Sequence, residues 1–303
     1  MRRAIFFLTA LIFSLAFSLP TNQSVYAIEQ QFLEKPTVVY GANLSDSQKE
    51  EVRRHLSVMN PDEVIELVVS GEDIYHYLGH DRNSRMFSSV KITHEEEGHG
   101  IIVHIVTPDY ITEVTSEMYR NALLTAGIED ATIEVAAPKA VTGHSALTGI
   151  YKAYDEAGVE LDKDRLEVAD EELSLTTKLT EKHGLSDEKV TELMTEIKKA
   201  IADQNPATKE DVERIIQEQL DKLEINLSEE DRQLLLDLFD KMRQLDIDFG
   251  QVRDQLEDLT TTIKERLDEM NIEIDESFWE KVKQFFIDLI DSIAALFSNK
   301  NNE

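Results

Sequence analysis

Residues 28–160 alternate between short β-branched runs and amphipathic segments, separated by turn residues. The β-branched runs predict strands at 37–40, 64–69, 88–93, 100–106 and 131–137. Helices are predicted at 45–59, 72–78 and 143–156, and a further helix that Thr112 or Thr115 caps is predicted to run to residue 126. Ser45, with Gln48 three residues later, has the pattern of a capping box. The acidic turn Glu95–Gly98 lies between the third and fourth strands and predicts a hairpin. Interleaved strands and helices of this kind predict a mixed sheet with helices packed on it.

Residues 161–303 contain few such turn residues, since nine of the eleven glycines lie before residue 160. Apolar positions recur at helical spacing and predict helices at 164–183 and 186–202, then helical hairpins at 208–245 and 249–298. The two hairpins contain a similar short sequence after their first helix, in which Ser228 and Asp275 are the expected N-caps of the next helix. The predicted fold class is therefore α+β, a mixed sheet with packed helices, followed by an all-α domain of helical hairpins or a bundle.

The first residues have the layout of a secretory signal peptide. Arg2 and Arg3 precede an uncharged apolar stretch that ends at Pro20, and Ala27 stands where cleavage requires a small residue. The stretch is shorter than the roughly 20 residues that span a bilayer. We expect cleavage after Ala27 and a mature chain that is secreted or associated with the cell wall, without a stable membrane anchor. The expected division is a signal peptide at 1–27, a sheet domain at 28–160 and a helical domain at 161–303, each domain folding on its own.

The chain carries 61 Asp and Glu against 31 Lys and Arg, a formal charge of −30, and it contains no cysteine. Such a surface repels phosphate backbones and anionic lipids, which disfavours nucleic-acid and membrane binding. Without cysteine there is no disulfide, thiol nucleophile or iron–sulfur cluster. Clustered carboxylates are expected to attract divalent cations only loosely. The sequence predicts no cofactor.

Ser145 stands in a Gly-His-Ser sequence that follows a strand and opens a helix, which is faintly typical of a nucleophile elbow. That elbow requires a strand leading directly into the serine, whereas Pro138 and several further residues intervene here. In the Ser-Asp-His order only His183 remains as the base. The simpler interpretation is that Ser145 or Thr142 caps a helix and that His183 lies near a helix C-terminus.

Two histidine pairs are candidate metal ligands. His76 and His80 are four residues apart, but the residue after the first is a tyrosine rather than the glutamate of the catalytic zinc motif. His94 and His99 flank the acidic turn. We expect all four to be solvated histidines near the predicted hairpin, so no metal ligand is assigned.

The segment from Asp246 to Glu257 faintly resembles a calcium-binding loop. Gly250 and Gln251 occupy the fifth and sixth positions, where an EF-hand requires an oxygen ligand and a glycine. Asp248 is expected instead to cap a helix that begins near Phe249. An apolar stripe at 278–297 predicts a last helix buried against the preceding pair, because its polar face is acidic rather than basic.

Several runs carry a resemblance: Ser88–Ile92, Gly98 with Gly100, Ile111–Thr115, Tyr119–Ile128 and Val141–Tyr154. On these runs the chain resembles a Firmicute family of secreted proteins of unknown function, over most of residues 30–160 and more loosely over the helical part. The resemblance implies an exported protein with no assigned activity and no catalytic residues to transfer.

The predicted function is therefore that of a secreted, non-enzymatic binding or interaction protein of the cell envelope or extracellular space. Its partner is an unknown extracellular protein or a wall glycan. The alternative is an extracellular hydrolase that uses Ser145 or a histidine-bound metal. Because wall teichoic acids are also anionic, binding by so acidic a protein is expected to need bridging cations or a neutral glycan.

Overall fold

Five strands form one mixed sheet in the computed structural model, which describes residues 35–269. Their order across the sheet is β2-β1-β3-β5-β4. The strands are β1 (Thr37–Gly41), β2 (Ile65–Val69), β3 (Ser89–His94), β4 (Ile101–Ile105) and β5 (Ala131–Ala136). The pair β1 and β2 and the pair β4 and β5 are parallel, and β3 is antiparallel to both of its neighbours.

The hairpin predicted at Glu95–Gly98 is wrong, because β5 lies between β3 and β4. Val135 of β5 pairs with Val90 of β3, and Ile133 pairs with both Ile92 and Val103. The central position suits β5, since Ile133 and Val135 are fully buried. The connection from β3 to β4 therefore crosses the end of β5.

The side chain of Asp130 holds this connection in place. Its Oδ1 atom accepts hydrogen bonds from the backbone N–H groups of Gly98, at 3.1 Å, and Gly100, at 2.7 Å. Both glycines have positive φ angles, 88° and 79°. Their left-handed backbone allows two N–H groups to converge on one carboxylate oxygen.

Helices cover both faces of the sheet. They are α1 (Asp46–His55), α2 (Gly71–Leu78), α3 (Ser116–Ala126) and α4 (Ser145–Glu156), and a 3₁₀ turn, Pro61–Glu63, precedes β2. On one face, Val52 of α1 and Leu56, the residue after that helix, pack with Val38 and Tyr40 of β1. On the other face, α4 packs against β1, β2 and β3, and α3 packs against β4.

Two of the predicted helix N-caps, which depend only on neighbouring residues, are confirmed. Ser45 and Gln48 form the capping box of α1, and Thr115 accepts a hydrogen bond from Met118 N at the start of α3. The first helix ends at His55 rather than at residue 59, because Ser57 adopts a left-handed backbone with φ of 56°.

Five further helices follow α4. They are α5 (Lys163–His183), α6 (Asp187–Gln204), α7 (Lys209–Leu223), α8 (Glu229–Gln244) and α9 (Arg253–Glu269). The predicted fold class, α+β followed by an all-α part, is confirmed. Helix α5 packs on α3, and α9 packs on α6. One hydrophobic cluster therefore runs from the sheet into the helices.

The division at residue 160 falls in the loop between α4 and α5, and the independence of the two parts stays a prediction. The first predicted hairpin corresponds to α7 and α8, with Ser228 as the N-cap of α8. Most of the second hairpin lies outside the described residues, as do Asp275, the stripe at 278–297 and the signal peptide. Within residues 35–269, no helix is long and apolar enough to cross a lipid bilayer.

Candidate functional site

A groove of about 440 Å³, here called the basic groove, opens between the loop that precedes β3 and the loop that leads into α4. It has basic, hydroxyl and apolar side chains and no Asp or Glu in its lining, which is formed by Ile74, Ser84, Arg85, Met86, Phe87, Lys139, Ala140, Val141, Thr142, His144 and Ser145. Its volume lies within the range of small-ligand pockets.

Hydrogen bonds fix both walls of the basic groove. Met86 N donates to the side-chain oxygen of Asn43 at 2.8 Å, and Asn43 N donates to Met86 O at 3.1 Å. On the other wall, the buried Tyr119 hydroxyl donates to Gly143 O at 2.6 Å. Gly143 has φ of 107°, and a Cβ atom there would lie 2.7 Å from that hydroxyl. The wall at the start of α4 therefore requires glycine.

Two basic side chains of the groove converge on one aromatic ring. Lys139 Nζ lies 3.4 Å from the centroid of the Phe87 ring, and Arg85 Cζ lies 5.7 Å from it. Most Lys and Arg side chains in the described residues have a carboxylate within 4 Å, but these two have none. The chain has a formal charge of −30, yet within residues 35–269 no carboxylate forms an ion pair with either of these cations.

His144 lies in the basic groove with a buried carboxylate behind it. Its Nε2 atom is 3.4 Å from Thr177 Oγ1 of α5. Burial lowers the pKa of His144, and the nearby Asp170 opposes that shift. Asp170, which is 5% exposed, also contacts His80, with 3.2 Å between Nε2 and Oδ2. Burial therefore favours the uncharged form of His144, and acidification favours its charged form.

Ser145 lines the basic groove but lacks the surroundings of a nucleophile. Strand β5 ends at Ala136, so an eight-residue loop precedes the serine. Within residues 35–269, no hydrogen bond joins Ser145 to a histidine. His183 is the last residue of α5, and its Nε2 atom lies 2.8 Å from Asp231 Oδ2. The cap expected from Ser145 or Thr142 is wrong, because His144 occupies the N-cap position and makes no side-chain cap bond.

The structure separates the candidate metal ligands. Gly79 ends α2 in a left-handed conformation, so His80 does not share a helix face with His76. His80 contacts Asp170, and His76 packs edge-on against the Tyr77 ring at 4.8 Å. His94 ends β3, and His99 lies in the loop that follows it. In the part of the chain that the structure describes, no three His, Asp or Glu side chains are placed to hold a metal ion.

The segment that resembles a calcium loop is a backbone turn. Asp248 Oδ1 accepts a hydrogen bond from Gly250 N at 2.9 Å, and Asp246 has φ of 52°. The helix expected to begin near Phe249 begins at Arg253. The Asp248 carboxylate therefore stabilises the turn before α9 rather than the helix itself.

A second polar cluster lies at the junction of α3, α5 and α6 and is fully enclosed. Lys198 Nζ lies 2.6 Å from Glu172 Oε1 and donates to Asn121 O and Oδ1, both at 2.8 Å. Thr125 Oγ1 donates to Glu172 Oε2 at 2.6 Å, and Asn121 donates to Thr195 Oγ1 at 3.2 Å. We call these five residues the junction network. Because all of them are buried, the network is closed to a ligand.

Sequence reasoning missed both arrangements. Arg85 and Lys139 are far apart in the chain, as are Asn121, Glu172 and Lys198. The local pattern gave no signal, since Lys198 stands in an ordinary Glu- and Lys-rich amphipathic helix. The burial of Lys198 results from the contact of α3 with α5 and α6, which the local sequence does not specify.

The chain matches the family model described as "Protein of unknown function (DUF1002)" over residues 40–259. It is also 36% identical over 206 residues to "Uncharacterized protein YpuA" of Bacillus subtilis (strain 168), covering 66% of this chain and 69% of that protein. No solved structure matches the chain at a significant level. These matches confirm the resemblance to a family of unknown function, and the chain belongs to the DUF1002 family.

Proposed function

We propose that this protein is a secreted, non-enzymatic binding protein of the cell envelope or extracellular space, and that it binds its ligand in the basic groove. The observation that carries the proposal is the pair Arg85 and Lys139, which lie over the Phe87 ring and form no ion pair within residues 35–269. Two neighbouring cations that no described carboxylate neutralises, placed in an open groove, retain a local attraction for anions even in an acidic protein.

The basic groove changes the expected chemistry of the ligand. The net charge alone argues that an anionic wall polymer needs bridging cations. The charged side chains that line the groove, Arg85 and Lys139, are however both positive, and charges more than about 8–10 Å away are largely screened at physiological salt. An anionic ligand is therefore compatible with the acidic surface around it, and loose divalent cations on that surface are not required.

A binding role accounts for the groove better than the alternative hydrolase does. Ser145 has no base within hydrogen-bond distance in the described residues, and the histidines are not gathered around a metal position. The nearest histidine, His144, faces Thr177 instead. Labelling with a fluorophosphonate probe that is lost in Ser145→Ala would favour the hydrolase.

The direct test is sedimentation of residues 28–303 with purified cell-wall sacculi. We expect binding without added calcium, and we expect the double variant Arg85→Met/Lys139→Met to lose most of it. The matched control is Arg54→Met/Lys264→Met, which removes two exposed cations that also make no ion pair in residues 35–269. Equal loss in both variants, or no sedimentation with sacculi or other envelope fractions, would contradict the proposal.

A further inference from the structure

The donors of the basic groove exceed what a carboxylate needs. Besides Arg85 and Lys139, the lining contains the hydroxyls of Ser84, Thr142 and Ser145. Within residues 35–269, none of these hydroxyls is hydrogen-bonded to another protein group. A guanidinium offers a fork of N–H donors, and an ammonium offers three more. A carboxylate has two oxygens to accept them, whereas a phosphate ester has more oxygens in a tetrahedral arrangement.

Apart from His144, the rest of the lining is apolar and therefore favours a ligand with a carbon skeleton. Ile74, Ala140 and Val141 contribute apolar side chains beside Phe87. Lys139 Nζ already lies 3.4 Å from the centre of the Phe87 ring, which hinders a flat base from stacking on that face. Non-planar carbon atoms that carry hydroxyls suit such a surface better, since the serine and threonine hydroxyls are available to them.

We infer that the basic groove binds a phosphate ester of a polyol or sugar, with the phosphate between Arg85 and Lys139 and the carbon skeleton over the apolar lining. This inference rests on the proposed function, because it names the ligand class of the same groove. The volume of about 440 Å³ accommodates one or two such units rather than a long stretch of polymer. Nucleic acid is disfavoured as the ligand, because the groove offers only two cations to neutralise phosphates.

The first experiment is calorimetric titration of residues 28–303 at neutral pH. The ligands are glycerol 1-phosphate, glucose 1-phosphate, glucuronate, glucose and adenosine monophosphate. We expect the two polyol and sugar phosphates to bind and the uncharged glucose to bind undetectably. Tighter binding of glucuronate or of the nucleotide than of glucose 1-phosphate would overturn the inference.

Groove variants assign the binding to named side chains. Arg85→Met and Lys139→Met are each expected to weaken glucose 1-phosphate binding about ten- to a hundredfold, the effect of losing one charge-assisted hydrogen bond. Phe87→Ala is expected to weaken glucose 1-phosphate more than inorganic phosphate. The control Arg54→Met/Lys264→Met is expected to bind normally. Thermal unfolding of each variant establishes that it is folded, and phosphate-ester binding that survives both groove substitutions would overturn the inference.

Sedimentation with sacculi, before and after removal of their phosphodiester polymers, distinguishes this inference from the proposed function. Hydrofluoric acid cleaves phosphodiester polymers from the wall and leaves the peptidoglycan. If the ligand is a polymer-borne phosphate ester, sedimentation falls after this treatment and soluble glycerol 1-phosphate competes with it. If sedimentation needs Arg85 and Lys139 but survives the treatment, the proposed function stands and the phosphate ester is wrong. If titration succeeds but no sacculus binding occurs, the ligand class stands and it is a free phosphate ester.

Discussion

The sheet region (residues 35–160) and the helical region (residues 161–269) differ in where they place charge. In the sheet region, ion pairs such as Lys91 with Glu134 and Lys152 with Asp73 lie at the half-buried margin. The buried polar side chains of that region are uncharged ones such as Thr37, Asn121 and Thr148, with Glu117 as the exception. In the helical region, Glu172, Lys198 and Asp231 are buried completely or nearly so.

The difference shows how each region specifies its packing. Backbone hydrogen bonds between strands satisfy the polar groups of the sheet, so its side chains are free to form an apolar interior. A helix satisfies its own backbone and leaves its orientation to side chains. At the junction network, burying Lys198 is tolerable only when α6 stands opposite Glu172 of α5 and Asn121 of α3. The charged contact thereby specifies one arrangement of three helices.

Separation of the two regions should have the largest effect. When 28–160 and 161–303 are produced as fragments, α3 and α5 lose their shared apolar contact. Each fully buried aliphatic side chain exposed costs about 1.5–3 kcal/mol. We expect both fragments to unfold cooperatively, but at lower temperatures than the intact chain, and to regain stability on mixing. Melting temperatures unchanged by separation would mean that the contact contributes little and that the regions are independent.

Removal of one buried charge should have the next largest effect. Lys198→Met leaves Glu172 without its cation, and we expect a loss of about 3–5 kcal/mol in the free energy of unfolding, measured in urea. Lys198→Met/Glu172→Leu should recover much of that loss. As a control, Lys209→Met removes one partner of an exposed pair with Asp237 and should cost less than about 1 kcal/mol. Equal effects of the two lysine substitutions would contradict the comparison.

Acidification should weaken the helical region through Glu196. Burial alone would raise the pKa of Glu196, but hydrogen bonds from Lys199 and Lys222 lower it to about 2. Because the folded pKa lies below the ordinary value of 4.5, the unfolded chain takes up the proton first as pH falls. The stabilisation is therefore present above pH 4.5 and is lost between that pH and about 2.

The size of this contribution is about 1–3 kcal/mol after allowance for solvent screening. We expect Glu196→Gln to be less stable than the natural chain at pH 7 and to approach it at pH 3, in urea unfolding at both values. Glu50→Gln, which alters an exposed carboxylate of α1, provides the comparison. A constant difference between pH 7 and pH 3 for Glu196→Gln would contradict the assignment.

A conservative truncation in the sheet should have the smallest effect. Ile133→Val removes one methyl group from a fully buried position on β5. We expect a loss of about 0.5–1.5 kcal/mol, since the transfer and cavity contributions of one methyl group are modest. The loss should not change between pH 7 and pH 3, because no charge is involved. A larger pH-dependent loss would mean that the sheet interior depends on nearby ionisation.

The basic groove was only partly foreseen. Ser145, which follows a strand in the sequence, lines the groove, but it has no base beside it in the described residues and is not placed as a nucleophile. Arg85 and Lys139 had no pattern of their own, because a single exposed cation in a loop is common in any sequence. Their significance arises from a shared contact with Phe87 and from the absence of a nearby carboxylate in the described residues.

By itself, the sequence determined the strands and helices, the capping box at Ser45 and the change from sheet to helices near residue 160. These features depend on hydrogen bonds and apolar spacing within a few residues, so local pattern is sufficient for them. Only the tertiary structure decided that β5 separates β3 from β4, that Lys198 is buried against Glu172, and that two loops form the basic groove. Those outcomes depend on which distant segments exclude water from one another, and no spacing along the chain specifies that choice.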